Sequence, residues 1–168
     1  MMSWTRYIVG TVTFVVPATA TFLNTVGYVA EVRGISMKPC LNPFLGKYSV
    51  SDYVHLNKWG VRSYKFERGE IVSLLSPVNP GEKLIKRVVA LEGDGVWTRN
   101  MKKVVTVPQG HIWVEGDHRK SLDSNSFGPV PVALVNGRAT HIVWPPSRWQ
   151  RLSVCPLSKE RVISPFAI

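Results

Sequence analysis

Short strand-like segments recur between residues 52 and 144, and residues typical of turns close each of them. Asp52–Asn57 alternates apolar and polar side chains, and Ile112–Glu115 is short and rich in apolar residues. Pairs such as Arg68-Gly69 and Asn136-Gly137 mark turns between the segments. Many short strands joined by Gly and Pro turns are typical of all-β barrels and folded sheets. A chain of 168 residues allows one domain of ordinary size, so we expect a mainly β domain.

Two of these segments are predicted to pair as a hairpin. Glu70–Leu75 is followed by the turn Asn79–Glu82 and then by Leu84–Leu91. Because side chains alternate along a strand, Lys86 is the only charge on its face of the second segment, while Arg87 lies on the other. The residues that share the face of Lys86 are Leu84, Val88 and Ala90.

The aliphatic surroundings of Lys86 indicate an unusual amine. Desolvation lowers the pKa of a lysine from a reference near ~10.4, and a neutral amine can accept a proton from a serine hydroxyl. The structural alternative is a lysine that extends its ammonium group to water at a sheet edge.

A candidate serine lies in the stretch Gly34–Leu41. Gly34 permits backbone angles that other residues avoid, and Pro39 fixes its own φ and restrains the residue before it. Such a turn can hold the Ser36 hydroxyl in one direction. The alternative is the start of an ordinary loop.

The first thirty residues predict a membrane anchor. Tyr7–Ala30 contains 24 residues without a charge, which as a helix would be about 36 Å long and would span a hydrocarbon core of ~30 Å. We therefore divide the chain into a short arm (1–6), a transmembrane helix (7–30), a catalytic domain (31–150) and a basic C-terminal tail (151–168) to which no structure is assigned. A cleaved signal peptide ending at Ala18-Thr19-Ala20 is the alternative.

The charge of the chain indicates an anionic partner. The net charge is +10, and since Arg6 is the only charged residue before the apolar run, the remainder carries +9. Lipid and nucleic acid both fit such a charge. No basic helix or zinc pattern favours nucleic acid, whereas the apolar run favours an anionic membrane surface.

Other catalytic and metal chemistries lack a motif. The four histidines, each a possible member of a Ser/His/Asp triad, have no distinctive neighbours, and no Gly-x-Ser-x-Gly elbow is present. Two scattered cysteines do not form a zinc pattern. Cys40 and Cys155 would pair only if the fold brings them together, and two unpaired thiols are favoured. The histidines are His55, His111, His118 and His141.

Four short motifs occur in order along the chain: Ser36-Met37-x-Pro39-x-Leu41, Arg68-Gly69-Glu70-Ile71-Val72, Lys86-Arg87-Val88-Val89-x-x-x-Gly93-Asp94 and Gly116-Asp117…Ser121-x-Asp123-Ser124. Together they resemble the type I signal peptidases, which are membrane-anchored Ser/Lys endopeptidases. The similarity covers nearly the whole chain and implies a mainly β, folded sheet or barrel behind one transmembrane helix. It also implies Ser36 as the nucleophile, Lys86 as the general base, and no cofactor.

The same resemblance implies supporting roles for the last motif. Ser121 would orient Lys86, while Asp117 and Asp123 would hold the loop. Many relatives carry Arg where this chain has Asn125, and the spacing from Gly116-Asp117 to Ser121 is about one residue shorter here. Gly34 shapes the nucleophile turn but has no hydroxyl to act as a second oxyanion donor, as a Ser does in some relatives.

The runs Gly110–His118, Asp123–Pro129 and His141–Pro146 make the chain similar, within this family, to the mitochondrial inner membrane peptidases, in the branch of their second catalytic subunit. This implies cleavage of sorting presequences from precursors destined for the intermembrane space, at the inner membrane, in a hetero-oligomer with the first catalytic subunit. It also implies contact with inner-membrane lipid and none with nucleic acid. Two alternatives stay open: a non-catalytic, membrane-anchored β module, and a Ser/Lys self-cleaving repressor, which would need a DNA-binding segment.

Overall fold

A computed structural model describes residues 2–43, 50–99, 103–154 and 161–164. One long helix precedes a mainly β domain, which confirms the predicted fold class of that domain. The helices are α1 (Met2–Thr25) and α2 (Ser124–Phe127), with 3-10 turns at Trp59–Val61, Val132–Leu134 and Pro146–Arg148. The strands are β1 (Gly27–Glu31), β2 (Tyr53–Asn57), β3 (Ile71–Leu75), β4 (Lys83–Ala90), β5 (Gly95–Trp97), β6 (Val104–Thr106), β7 (His111–Glu115), β8 (Val130–Pro131), β9 (Val135–Trp144), β10 (Gln150–Arg151) and β11 (Val162–Ile163).

The strands in the described ranges form one large and one small antiparallel sheet. The large sheet has the order β1-β2-β9-β3-β4-β7-β8, with β10 added beside β9, and the small sheet has the order β11-β5-β6. Ile71 pairs with Arg87 and Leu75 with Lys83, so β3 and β4 form the predicted hairpin. Strand β4, which carries Lys86, therefore lies inside the large sheet.

The large sheet bends so that its first strand faces β4. Three strands separate β1 from β4 in the sheet order. Nevertheless, the Lys83 Nζ atom lies 5.3 Å from the centroid of the Tyr28 ring. Both strands border one cleft of about 610 Å³, and this cleft is the space enclosed by the bend.

Strand β4 separates two apolar cores. Val88 packs with Val72 and Val114 on one face, and Ile85 packs with Met37 on the other. This is the alternation that the sequence predicts. It ends at an irregularity between Val88 and Ala90, after which Val89 and Ala90 both join a third cluster next to the small sheet.

The N-terminal elements differ from the predicted division of the chain. The helix begins at Met2, inside the expected arm 1–6, and it ends at Thr25 rather than at Ala30. The last part of the uncharged run is strand β1, because Gly27–Glu31 finds hydrogen-bonding partners along β2. No helix in the described part of the chain is both long enough and apolar enough to cross a membrane.

One other expectation is wrong. Asn136-Gly137 does not separate two segments but lies within β9, where Gly137 pairs with Ser73. A side chain there would meet Leu56 Cβ at 3.2 Å, so this glycine serves close packing. Among the described residues after Trp149, to which the sequence assigned no structure, β10 pairs with β9 and β11 with β5. Sequence patterns miss such two-residue strands because the partner strand supplies all of their order.

Candidate active site

Ser36 lies in a turn that two buried side chains hold in place. Met37 and Leu41 are almost completely inaccessible to solvent and pack in the same core. The Leu41 N–H donates to the Met37 carbonyl at 2.9 Å, and the Lys38 N–H donates to Ile35 at 3.1 Å. Gly34 has a φ of 86°, which glycine adopts without strain. The turn is therefore fixed by its own hydrogen bonds and by its anchors in the core.

A buried polar cluster supports this turn from below, and sequence reasoning missed it. Asn42 Nδ2 donates to the Val32 carbonyl at 2.6 Å, and the Asn42 N–H donates to Asp52 Oδ2 at 2.7 Å. Arg148 Nη1 lies 3.0 Å from the same carboxylate oxygen, while its Nη2 donates to the Cys40 carbonyl. These residues are far apart in the chain, so no sequence pattern marks them as a group.

Lys86 lies on β4 where that strand loses one neighbour. Strand β7 pairs with β4 only from Arg87 onward. In the described ranges, Lys83–Lys86 is therefore paired with β3 alone and leaves an open edge. Ser36 and Lys86 both border the cleft beside this edge, and Lys86 is only 3% exposed. The structure thus brings the two candidate residues to one site.

The environment of Lys86 favours the neutral amine. Burial lowers the pKa of Lys86 from its ordinary value, and the negative charges of Asp123 and Glu82 oppose this only in part. The walls of the cleft that Lys86 borders include apolar side chains from two strands, which are Val54 and Leu56 of β2 and Ile85 of β4. A serine hydroxyl at this site would therefore face an amine that can accept its proton.

Ser121, in the loop that follows β7, lies against Gly116 where the nucleophile turn approaches this loop. A Cβ atom on Gly116 would collide with Ser121 Oγ and with the Ser36 carbonyl oxygen, so three segments meet closely around this glycine. The His118 N–H donates to the Ser36 carbonyl at 3.0 Å. Ser121 Oγ is buried and has no hydrogen-bond partner within the described residues. The shortened loop therefore still delivers Ser121 to the candidate site.

The two aspartates of the last motif act on different sides of β4. Asp123 precedes α2 and accepts hydrogen bonds from the Asn125 N–H and the Gly116 N–H, each at 3.1 Å. Asp117 instead receives Arg87 in a two-point ion pair, at 2.8 Å and 2.7 Å. Asp123 belongs to the Lys86 side, and Asp117 to the opposite face of the strand.

Asn125 takes a place in a hydrogen-bond network rather than in an ion pair with Asp123. Its Nδ2 atom donates to Asp123 Oδ1 and to Glu115 Oε1, each at 3.0 Å. Its Oδ1 accepts the Arg99 N–H at 2.8 Å. Glu115 was not singled out by its sequence position, because a charged residue at a strand end is common.

The remaining candidates lie away from the cleft. His55 Nδ1 is 2.9 Å from Thr140 Oγ1, and none of the four histidines, all of which are described, borders the cleft. The described residues contain no group of three His, Cys, Asp or Glu side chains arranged to hold a metal ion. Cys155 lies outside the described residues, so the question of its pairing with Cys40 stays open.

Comparisons with known proteins give the family of the chain. Residues 1–106 and 98–144 match the family described as signal peptidase, peptidase S26. The chain is 58% identical over 144 residues to mitochondrial inner membrane protease subunit 2 of Mus musculus, which covers 84% of this chain and 81% of that protein. The protein of the same name from Saccharomyces cerevisiae is 44% identical over 138 residues, or 80% of this chain and 77% of that one.

A crystal structure of a signal peptidase I from Enterococcus faecalis is a partial match. It covers 44% of this chain and 96% of that one, at 26% identity and a TM-score of 0.38. The family match spans most of the chain, and the identity to the two relatives is high over most of its length. The chain therefore belongs to the signal peptidase family, peptidase S26, and is a serine endopeptidase of the signal peptidase type.

Proposed function

We propose that this protein is the membrane-anchored endopeptidase that removes N-terminal sorting presequences from proteins delivered to the mitochondrial intermembrane space, with Ser36 and Lys86 as its catalytic dyad. The observation that supports it most directly is that Ser36 borders the same cleft as a buried lysine. The relatives named mitochondrial inner membrane protease subunit 2 supply the cellular context.

The proposed reaction proceeds through an acyl-enzyme. Ser36 Oγ attacks the scissile carbonyl while neutral Lys86 takes the hydroxyl proton. The C–N bond then breaks, and Lys86 gives this proton to the leaving amine. A water molecule, deprotonated by Lys86, attacks the ester and releases the presequence with Ser36 regenerated. The Ser36 N–H is a natural donor to the oxyanion.

The open edge of β4 is suited to an extended substrate. Backbone groups of Lys83–Lys86 that face away from β3 have no strand partner within the described residues. A peptide that adds here as a strand would satisfy them and would carry its scissile bond toward Ser36. The apolar cleft walls would then admit small side chains next to the cut.

Three residues of the last motif take supporting roles in this proposal. Ser121, whose buried hydroxyl makes no hydrogen bond within the described residues of the free protein, is available to bond Lys86 and orient it when substrate is bound. Asp123 holds Gly116 and caps α2, which fixes the loop next to Ser36. Asp117 holds that loop from the other side through Arg87.

We also assign α1 as a single-pass anchor that holds the peptidase domain at the intermembrane-space face of the inner membrane. Large apolar side chains of α1 are exposed, among them Phe14 at 78%, and a helix of 24 residues is about 36 Å long. Such side chains need an apolar surrounding. The first catalytic subunit is the expected partner, because relatives are named as numbered subunits.

The test is cleavage of a presequence-containing precursor in membranes that contain the full-length chain and the expected partner subunit. Ser36→Ala and Lys86→Ala should each leave the precursor uncut while protein levels hold. Ser63→Ala and Lys65→Ala are matched controls, because both residues are exposed and outside the cleft. Normal processing by Ser36→Ala would reject the dyad and favour a non-catalytic module.

A further inference from the structure

Glu115 is a buried carboxylate at the end of β7, and it collects an unusual number of donors. It is 2% exposed. Its Oε1 accepts from Trp113 Nε1 at 2.9 Å, from Asn125 Nδ2 at 3.0 Å and from Arg161 Nη2 at 2.8 Å. Its Oε2 accepts from Arg161 Nη1 at 3.0 Å and lies 3.0 Å from Arg99 Nη2. Burial alone would raise the pKa of Glu115, but the hydrogen bonds from Arg161 and its other partners keep it low.

Arg161 makes the two-point contact to this carboxylate, and it belongs to the C-terminal segment. Its backbone carbonyl accepts the Trp97 N–H at 3.0 Å, and its Nη2 donates to the Trp97 carbonyl at 3.0 Å. Residues after Arg161 pair with β5, and Ser164 accepts from Arg68 Nη2 at 3.3 Å. The segment 161–164 is therefore held to the small sheet while the Arg161 guanidinium reaches into the large one.

The chain of hydrogen bonds continues from Glu115 to the residues around the dyad. Asn125 links Glu115 to Asp123, because its Nδ2 donates to both carboxylates. Asp123 in turn accepts from Gly116, whose Cα carries no side chain where the Ser36 carbonyl and Ser121 approach. The negative charge of Asp123 acts on Lys86 as well. Each of these hydrogen bonds joins two groups that are at most half-exposed, so water does not readily replace either partner. A displacement of the Glu115 carboxylate should therefore displace Asn125 and Asp123 as well.

We propose that Arg161 is a positioning residue for the proposed Ser/Lys site, acting through Glu115, Asn125 and Asp123. This rests on the proposed function of Ser36 and Lys86. Without Arg161, Glu115 keeps one charged partner, Arg99, and loses the donors that balance its burial. Asn125 and Asp123 then lose their fixed orientation, and the loop moves relative to Ser36. Misplacement of reacting groups by about 1 Å lowers rates by about 10²-fold.

The effect should fall on catalysis rather than on substrate binding. Arg161 and Glu115 do not border the cleft. Their loss would leave the open edge of β4 and the apolar cleft walls in place, so the KM should change little. A residue that serves only folding would instead reduce the amount of active protein and leave the kcat of the folded fraction unchanged.

The experiment measures kcat and KM of the full-length chain, reconstituted in lipid vesicles, on a peptide that spans a presequence cleavage site. Active enzyme is counted by titration with a serine-directed acylating probe. Arg161→Gln should lower kcat about tenfold with KM changed less than twofold, in keeping with a partial misplacement of the dyad. Arg161→Lys keeps the charge but loses the two-point contact to Glu115, so its kcat should be intermediate, about threefold below wild type.

Arg99→Gln is the matched control, because Arg99 faces the same carboxylate through a single contact and has a similar side-chain exposure, 34% against 29%. It should lower kcat less than twofold.

An unchanged kcat per active site in Arg161→Gln would overturn the proposal, and so would an equal loss in Arg99→Gln. If Arg161→Gln does not accumulate, Arg161→Lys decides, since a wild-type kcat there counts against positioning. Ser36→Ala runs in parallel: if it stays active, the dyad itself is wrong, whereas an inactive Ser36→Ala with a normal Arg161→Gln rejects only this inference.

Discussion

Lys86 and Arg87 are adjacent cations on opposite faces of one strand, and the protein treats them in opposite ways. Both are buried, at 3% and 6% exposure. Lys86 borders an apolar cleft, and its burial lowers its pKa despite the charges of Asp123 and Glu82. Burial opposes the charge of Arg87 too, but the two-point ion pair with Asp117 outweighs it and raises the pKa.

The difference shows that burial alone does not decide the charge of a side chain. Desolvation acts on both residues in the same direction, so the outcome depends on whether a carboxylate lies within hydrogen-bonding distance. Arg87 donates two charge-assisted hydrogen bonds to Asp117, whereas the carboxylates of Asp123 and Glu82 act on Lys86 only as charges. One face of β4 thus holds a fixed charge that ties down a loop, and the other holds an amine that can change its protonation state.

The largest expected effect comes from replacing each cation by the other type. Lys86→Arg should lower the cleavage rate about 10³-fold, because an arginine stays protonated and cannot act as a general base. Arg87→Lys keeps the charge but cannot make both hydrogen bonds to Asp117. It should therefore retain most activity, while the free energy of unfolding falls by about 2 kcal/mol. Precursor cleavage and urea unfolding measure the two effects. Lys65→Arg, at an exposed position outside the cleft, is the control and should cleave normally. Equal activity losses in Lys86→Arg and Arg87→Lys would contradict the comparison.

A smaller effect is expected on stability when Arg87 loses its partner. Asp117→Asn should lower the free energy of unfolding by about 2–3 kcal/mol, because a nearly buried guanidinium is left without its carboxylate. The urea midpoint, at constant m-value, is the measurement. Glu31→Gln removes the exposed ion pair with Arg33 and should leave that midpoint unchanged. A midpoint for Asp117→Asn that matches wild type would mean that the buried pair adds no stability.

The smallest expected effect concerns pH. The reaction needs neutral Lys86, so kcat/KM should be low below the Lys86 pKa and should rise as the pH passes through it. Since burial lowers that pKa, the rise should lie below the ordinary lysine value of 10.5. Glu82→Gln removes a negative charge that raises this pKa, so the rise should move to lower pH, by about a few tenths of a unit for a partly screened charge. The pH–rate profile of both forms tests this. A shift to higher pH would show that the amine is not the titrating group.

Alternation along β4 could be predicted from the sequence, but only as far as Val88. The sequence pattern correctly predicted that β4 pairs with β3 and that Lys86 and Arg87 lie on opposite faces. It failed where the strand is irregular next to Val89, because such an irregularity depends on how β7 is paired. The sequence prediction also failed at Asn136-Gly137, a dipeptide typical of turns that lies within β9. Glycine is needed at this position because Leu56 leaves no room for a side chain.

Some residues around the dyad could be identified from the sequence, whereas others could be identified only from the tertiary structure. Ser121, Asp123 and Asp117 follow one another in the chain, so their motif could be recognised, although not which side of β4 each would serve. Asn42, Asp52 and Arg148 meet behind Ser36 from distant positions, and nothing in their local sequence indicates it.

The sequence by itself determined the mainly β class, the hairpin of β3 and β4, and the identity of the candidate serine and lysine. These follow from local rules of side-chain alternation and turn formation, and from short motifs. Tertiary structure alone decided where the N-terminal helix ends, that residues 161–164 join the domain, and that Glu115 ties this segment to the loop beside the dyad. The physical reason is that hydrogen bonds and ion pairs between distant segments depend on how the sheet bends, and no local pattern records that bend.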